Sequence, residues 1–273
     1  MGKFDGILIC TDLDGTLLKN DKTISNENID AIEFFKQEGG LFTVVTGRMP
    51  IFAFDICDKI KPNVPFGCFN GAALYDYYKM EYIWKNHIHS SVTELIKNVD
   101  EKFPDVGIQV NTFTDAFFCK DNLTMEKFRK ATNAPNKVCN YVGINEEIAK
   151  VILGSENDEE IKSVTETLLA HPLADNFDFV RSEKSLFEIL PKGSTKGNVL
   201  LKLCQYKNID VKKTIALGDY NNDIPMFNVA RIGIAVSNAC DDALKEADIV
   251  TVSNEENAVA KIIGDIEKGF LKI

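Results

Sequence analysis

Short apolar runs alternating with stretches of helical periodicity set the rhythm at both ends of the chain. Residues 6 to 11 read as a first strand, and Ser25 then opens a helix with Ile29, Ile32 and Phe35 on one face, stopped by Gly39 and Gly40. Residues 41 to 45 form the next strand, and Pro50 begins a second helix. The C-terminal part repeats the pattern: helix over 194 to 206, strand over 214 to 217, a helix from Asn222, strand over 232 to 236, helix over 239 to 247, strand over 248 to 252 and a closing helix over 256 to 268. Continuous apolar strands separated by helices predict a parallel sheet covered on both faces.

Between about 82 and 190 the grammar changes. Strand-like runs at 106 to 111, 115 to 119, 149 to 154 and 177 to 189 neighbour one another, with helical patterns at 90 to 102 and at 158 to 170, the latter entered through Asn157 as its cap. This predicts an α/β protein with a Rossmann-like parallel sheet core, residues 1 to 81 and 191 to 273, and an α+β cap domain, residues 82 to 190, inserted into it.

The polar oddities of the chain fall where the predicted strands end, which is where open parallel sheets bind ligands. The strand from residue 6 runs into Asp12 and Asp14, two apart and so on one side of an extended chain, with Gly15 after them. Carboxylates so placed repel and lose hydration unless a cation or a chemical task compensates them, although Asp and Gly also make ordinary turns. Thr46 and Gly47 follow the strand over 41 to 45 and offer a hydroxyl and an open backbone N–H to a phosphate, or form only a turn. Lys196 sits in the first turn of its helix, against the macrodipole, and an anion would repay that; Lys192 is the competing candidate. Asp219 and Asp223 bracket Asn222 in a run that either caps the next helix or adds carboxylates to the crevice. An oxygen-rich set of this kind suits Mg²⁺ and not zinc.

Composition narrows the picture. The chain has 273 residues, 45% of them hydrophobic, enough for two domains. A net charge of −10 excludes nucleic acid as the expected partner and gives no basis for binding an anionic membrane. Seven scattered cysteines without a Cys-x-x-Cys pair read as reduced thiols, and no stretch resembles a signal peptide or a membrane span, so the expected location is cytoplasmic. His87 and His89 lie on a run read as a strand, but no third ligand of matching spacing accompanies them.

With these motifs in order, the chain resembles the haloacid dehalogenase-like phosphatases, in the Cof-type branch with the larger α/β (C2B-type) cap. The resemblance rests on Asp12-Leu13-Asp14-Gly15-Thr16, Val45-Thr46-Gly47-Arg48, Lys196 within Lys-Gly-Ser-Thr-Lys-Gly, and Gly218-Asp219-Tyr220-Asn221-Asn222-Asp223, with Asn70-Gly71-Ala72 like the segment that precedes the cap. It implies hydrolysis of small phosphorylated metabolites, with Asp12 as nucleophile and Asp14 as acid and base. Thr46, Gly47, Lys196, Asn222 and the Leu13 amide would hold the phosphate, with Asn70 near by and Arg48 as a substrate contact of unsettled role. Mg²⁺ would be bound by Asp12, the Asp14 carbonyl oxygen and Asp219, supported by Asp223. Neighbouring negative charge is expected to raise the pKa of Asp14, and residues 82 to 190 are expected to close over the crevice and select the substrate. A phosphomutase or a non-catalytic phosphometabolite-binding module remains an alternative, and oligomeric state is not legible.

Overall fold

The computed structural model describes residues 2–132 and 134–273, and they divide into two compact units, Met1–Lys85 with Thr195–Ile273, and Asn86–Ser194. The first unit opens with β1 (Leu8–Thr11), α1 (Asn26–Gln37), β2 (Leu41–Val44), α2 (Phe54–Ile60), β3 (Phe66–Cys68), β4 (Ala73–Asp76) and β5 (Glu81–Lys85). The inserted unit runs α3 (Val92–Lys102), β6 (Gly107–Thr112), β7 (Ala116–Lys120), α4 (Leu123–Thr132), β8 (Ile148–Gly154), α5 (Asp158–Leu169), β9 (Phe177–Glu183) and β10 (Leu186–Pro191). The chain then returns to the first unit with α6 (Lys196–Lys207), β11 (Thr214–Gly218), α7 (Ile224–Val229), β12 (Ile232–Ala235), α8 (Asp241–Glu246), β13 (Ile249–Val250) and α9 (Ala258–Glu267).

The first unit is built on a five-stranded parallel sheet in the order β13-β12-β11-β1-β2. All four residues of β1 are buried, as a central strand covered on both faces requires. Leu8 and Cys10 pack with Val199, Leu203, Met226 and Phe227 of α6 and α7; alternation turns Ile9 to the opposite face. Helices α1 and α9 are tied by Asn28, whose side-chain oxygen accepts the Ala260 N–H at 2.9 Å. Ser25 caps α1 by accepting from the Asn28 N–H, the role its position predicts.

A second, antiparallel sheet of β3, β4 and β5 belongs to the same unit and is absent from the sequence reading. Because β5 pairs with β4 and Thr195 caps α6, the units divide after Lys85 and after Ser194 instead of after residues 81 and 190.

The inserted unit is a five-stranded antiparallel sheet, β7-β6-β8-β10-β9, with α3 and α5 packed on one face through Val92, Leu95, Val99, Ile161, Val164 and Leu168. The run over 177 to 189 is a hairpin of two strands, not one strand, and α4 adds a helix where none is predicted. Residues 87 to 89 lie outside any strand. The helix expected from Asn222 begins two residues later, at Ile224. No helix among the described residues is long and apolar enough to cross a membrane.

Candidate active site

Three loops at the carboxyl ends of β1, β2 and β11 carry most of the candidate residues, while Asn70 follows β3 and Lys196 opens α6. Asp12 follows β1 directly, and its N–H donates to the Leu217 carbonyl of β11 at 2.9 Å, so the strand ladder itself fixes its backbone. The chain then makes one wide turn, Leu13–Leu17, with Gly15 at φ 77°. A Cβ at Gly15 would stand 2.8 Å from Cγ of Asp219, so glycine supplies both the left-handed backbone and the space for that carboxylate. Leu13 opens the turn with its side chain buried.

Asp219 opens the loop after β11 and accepts the Thr16 hydroxyl at 2.8 Å. Asp223 is fully buried, and its Oδ2 accepts the N–H groups of Asp219 (2.9 Å) and Tyr220 (3.1 Å), folding the loop back on itself. Lys196 is the first residue of α6, and Thr195 caps that helix by accepting the Asn198 N–H. The buried Lys196 ammonium lies 2.8 Å from Asp12 Oδ1 and 2.6 Å from Asp223 Oδ1, so the anions that its unfavourable helix position calls for are both present.

Asp12, Asp219 and Asp223 each offer a carboxylate oxygen, all within 4.8 Å of one another. Three carboxylates against one ammonium leave a surplus of negative charge in a poorly hydrated crevice. Burial, with Asp223 and Asp14 adding to it against the pull of Lys196, pushes the Asp12 carboxyl up to about 7. Burial, then Asp223 and Asp12, push Asp219 to about 8. Burial lowers the Lys196 ammonium less than its two carboxylate partners raise it, so it stays protonated. Such a site favours a hard divalent cation: the donors are all oxygen, they converge, and a 2+ charge removes the penalty on ionising them. The residues fit a metal of the Mg²⁺ kind.

Asp14 behaves differently from expectation. Its carboxylate stands apart from the three-carboxylate group and is gripped by Arg48, whose Nε and second guanidinium nitrogen donate to its two oxygens at 2.7 Å each, while Lys22 donates at 2.9 Å. Burial would raise its pKa, but this fork and the Lys22 ammonium more than offset that and hold it down at about 2. The expected rise is therefore wrong, because sequence spacing reveals the neighbouring anions and not the cations that fold onto Asp14. For a metal, only the Asp14 carbonyl oxygen is left to consider. Arg48 also donates to the Phe52 carbonyl at 3.0 Å, which anchors the guanidinium. Lys22 was missed; an exposed lysine at φ 65° beyond the turn carries no sequence signal.

Thr46, Gly47, Asn70 and Asn222 come together. The Asn70 N–H donates to the Thr46 carbonyl at 3.0 Å, and a Cβ on Gly47 would lie 3.0 Å from the Asn70 amide. Asn222 Nδ2 donates to Asn70 Oδ1 at 3.1 Å, while its own buried Oδ1 has no partner in the structure. The Thr46 hydroxyl accepts the Arg48 N–H at 3.1 Å. Lys192, the competitor of Lys196, belongs to the inserted unit and pairs with Asp178 at 3.2 Å.

Comparison with known proteins agrees with this arrangement. The family model described as haloacid dehalogenase-like hydrolase matches residues 9–263. The chain is 30% identical to 5-amino-6-(5-phospho-D-ribitylamino)uracil phosphatase YwtE of Bacillus subtilis strain 168, over 96% of this chain and 98% of the relative. A second 5-amino-6-(5-phospho-D-ribitylamino)uracil phosphatase of the same organism, YitU, is 26% identical over 94% of this chain and 96% of its own. Among solved structures, the subclass IIB sugar phosphatase BT4131 shares the fold with a TM-score of 0.84 at 23% identity, across 97% of this chain and 100% of that one. The match across nearly the whole length, on a fold that gathers Asp12, Asp219, Asp223 and Lys196 at the ends of β1 and β11, means that the chain belongs to the haloacid dehalogenase-like hydrolases.

Proposed function

We propose that this hydrolase releases inorganic phosphate from small phosphomonoesters, sugar phosphates or phosphorylated cofactors, through a phosphorylated Asp12. The observation that carries the reading is the contact of Asp12 with buried Lys196 inside a ring of two further carboxylates. A carboxylate so placed is shielded from water and lies against a fixed cation, which offsets the repulsion between two anions as a phosphate approaches.

Asp12 attacks phosphorus; a P–O bond to its carboxylate forms as the ester P–O bond breaks, and Asp14 gives a proton to the departing oxygen. Water then attacks the phosphorylated Asp12, Asp14 takes its proton, and the aspartyl bond to phosphorus breaks to free phosphate. The ionised Asp14 held by Arg48 is in the form needed for the second half, so the first half requires Arg48 to yield it. Thr46, Gly47, the Leu13 amide, Lys196 and the Asn222 side-chain NH2, which has a second hydrogen beyond the one it gives Asn70, hold the phosphate oxygens. Asp12, the Asp14 carbonyl oxygen and Asp219, with Asp223 in support, would hold Mg²⁺, which supplies charge neutralisation at the phosphate.

The inserted unit supplies selectivity for the part of the substrate beyond the phosphate. Two relatives carry a phosphorylated ribitylamino compound in their names, so such esters belong in the first substrate panel. All seven cysteines are free thiols, as suits the reducing cytoplasm in which we place the enzyme.

The test is phosphate release from a panel of phosphorylated metabolites with Mg²⁺ and with EDTA, beside Asp12→Asn. Turnover is expected to need the metal and to fall roughly 10³-fold or more in the variant. Wild-type release by Asp12→Asn rejects the nucleophile, and phosphoryl return to the substrate without net release identifies a mutase.

A further inference from the structure

The inserted unit holds two of the cysteines, Cys119 and Cys139, and the fold sets them on neighbouring tracks of chain. Cys119 lies on β7, the edge strand of the antiparallel sheet. Past α4 the chain returns along that edge: Phe117 and Lys137 form a parallel bridge, and the Phe118 N–H donates to the Lys137 carbonyl at 2.8 Å. Farther along, Lys120 and Tyr141 converge on one carboxylate, Lys120 Nζ donating to Asp100 Oδ1 at 2.7 Å and the Tyr141 hydroxyl to Asp100 Oδ2 at 3.1 Å. The two tracks are therefore tied on either side of the cysteines, and the register two residues beyond the bridge sets Cys119 opposite Cys139.

Alternation turns both thiols to one side. Cys119 and Tyr141 each pack against the core formed with α3 and α5, whereas Phe118 packs on the opposite face. Neighbouring strands run roughly 4.8 Å apart, inside the range of about 4.4–6.8 Å between Cα atoms that a disulfide spans. Both sulfurs are partly exposed thiols, while Cys10, Cys57, Cys68 and Cys204 are buried and Cys240 belongs to the first unit. Cys119 donates weakly to the Phe117 carbonyl at 3.7 Å and Cys139 to the Asn140 carbonyl at 3.3 Å, local contacts that are given up at little cost. Burial pushes the Cys119 thiol up to about 12, and the Cys139 sulfur beside it adds to the rise. Cys139 lies between exposed Val138 and exposed Asn140, so a reagent in solution reaches it first.

We propose that Cys119 and Cys139 are a reversible dithiol–disulfide pair, oxidised by low-molecular-weight disulfides and reduced again by thiols. Cys139 loses its proton to solvent and attacks one sulfur of the small disulfide; that S–S bond breaks, and the departing thiolate takes up a proton. Cys119 then loses its proton and attacks the Cys139 sulfur of the mixed disulfide, which releases the second small thiol. Two protein thiols are oxidised as one small disulfide is reduced to two thiols. Cys119, held as the thiol by burial, resolves the adduct because the fold keeps it opposite. The disulfide closes the stretch of chain that carries α4 and adds a covalent tie beside the Phe117–Lys137 bridge. The pair lies wholly within the inserted unit and is independent of the phosphatase reading. A reducing cytoplasm keeps it open, and a rise in the oxidised fraction closes it.

The whole protein is reduced, equilibrated in glutathione buffers of increasing oxidised fraction, alkylated and digested for mass spectrometry. Cys119 and Cys139 are expected to lose alkylation together, their peptides to be recovered joined, and dithiothreitol to restore both. Cys119→Ser should leave a lasting glutathione adduct on Cys139, and Cys139→Ser should leave Cys119 open to alkylation. On oxidation of the wild type, hydrogen exchange in α4 should slow on the order of tenfold while β1 and β11 are unchanged. A stable glutathione adduct on wild-type Cys139, a bond from either sulfur to another cysteine or another molecule, or both thiols still alkylated in the most oxidising buffer overturns the proposal. These wild-type results decide it even if a variant fails to fold.

Discussion

Asp14 and Arg48 form the pair on which proton handling turns. The guanidinium fork fixes both carboxylate oxygens, and Arg48 is itself anchored on the Phe52 carbonyl, so Asp14 is held in one orientation. Arg48→Ala should lower kcat roughly ten- to a hundredfold through lost positioning. It should also move the acid limb of the kcat profile to higher pH, because Asp14 then loses the partner that most lowers its pKa. Arg48→Lys keeps the charge without the fork and should recover only part of the loss. A profile unmoved by Arg48→Ala would remove Arg48 from the mechanism. At this scale the need of Lys196 for an anionic partner was legible, since a lysine in a first helical turn works against the helix dipole. The hold of Arg48 and Lys22 on Asp14 was not, because no periodicity links positions 14, 22 and 48.

The loops after β1 and β11 bring like charges together, and that sets how the site responds to pH and metal. Asp12 and Asp219 have folded-state values raised to about 7 and about 8, above the roughly 4 of an unfolded carboxyl. Their protonated forms favour the folded state, so without metal the contribution of these two groups is present below about pH 4 and is lost as pH rises through 7 to 8. A divalent cation binding the ionised carboxylates should reverse this. Mg²⁺ should therefore raise Tm more at pH 8 than at pH 5.5, and EDTA should abolish the difference. Equal Tm with Mg²⁺ and EDTA at pH 8 would mean that these carboxylates hold no metal. Among the elements, the caps Ser25 and Asn157 and the continuous strands β1, β2 and β11 were readable from the sequence. Strands β3 to β5, three to five residues each and interrupted by Asn70 at φ 54°, were too short to declare themselves. The hairpin of β9 and β10 read as one strand because only Lys184 and Ser185, neither a strong turn former, separate its arms.

Over the whole molecule, two cores of separate composition imply separable stability. Ile161 is fully buried against α3 and the sheet of the inserted unit. Ile161→Ala should cost about 2–5 kcal/mol and raise hydrogen exchange across 86 to 194 while the Mg²⁺ effect on the first unit persists. Equal loss of protection in both units would show one cooperative fold instead. The sequence by itself determined the α/β class, the insertion of a unit of different grammar, and the set of strand-end residues that carry the chemistry. These follow from local alternation, from caps, and from the cost of placing carboxylates beside buried strands, all of which act over a few neighbouring residues. Only the tertiary structure decided which cations meet which anions, that Asp14 is gripped by Arg48 while Asp12 meets Lys196, and that Cys119 and Cys139 lie on neighbouring tracks. Those pairings join residues up to 184 positions apart, and the crossing and register of strands, which no local pattern encodes, set them.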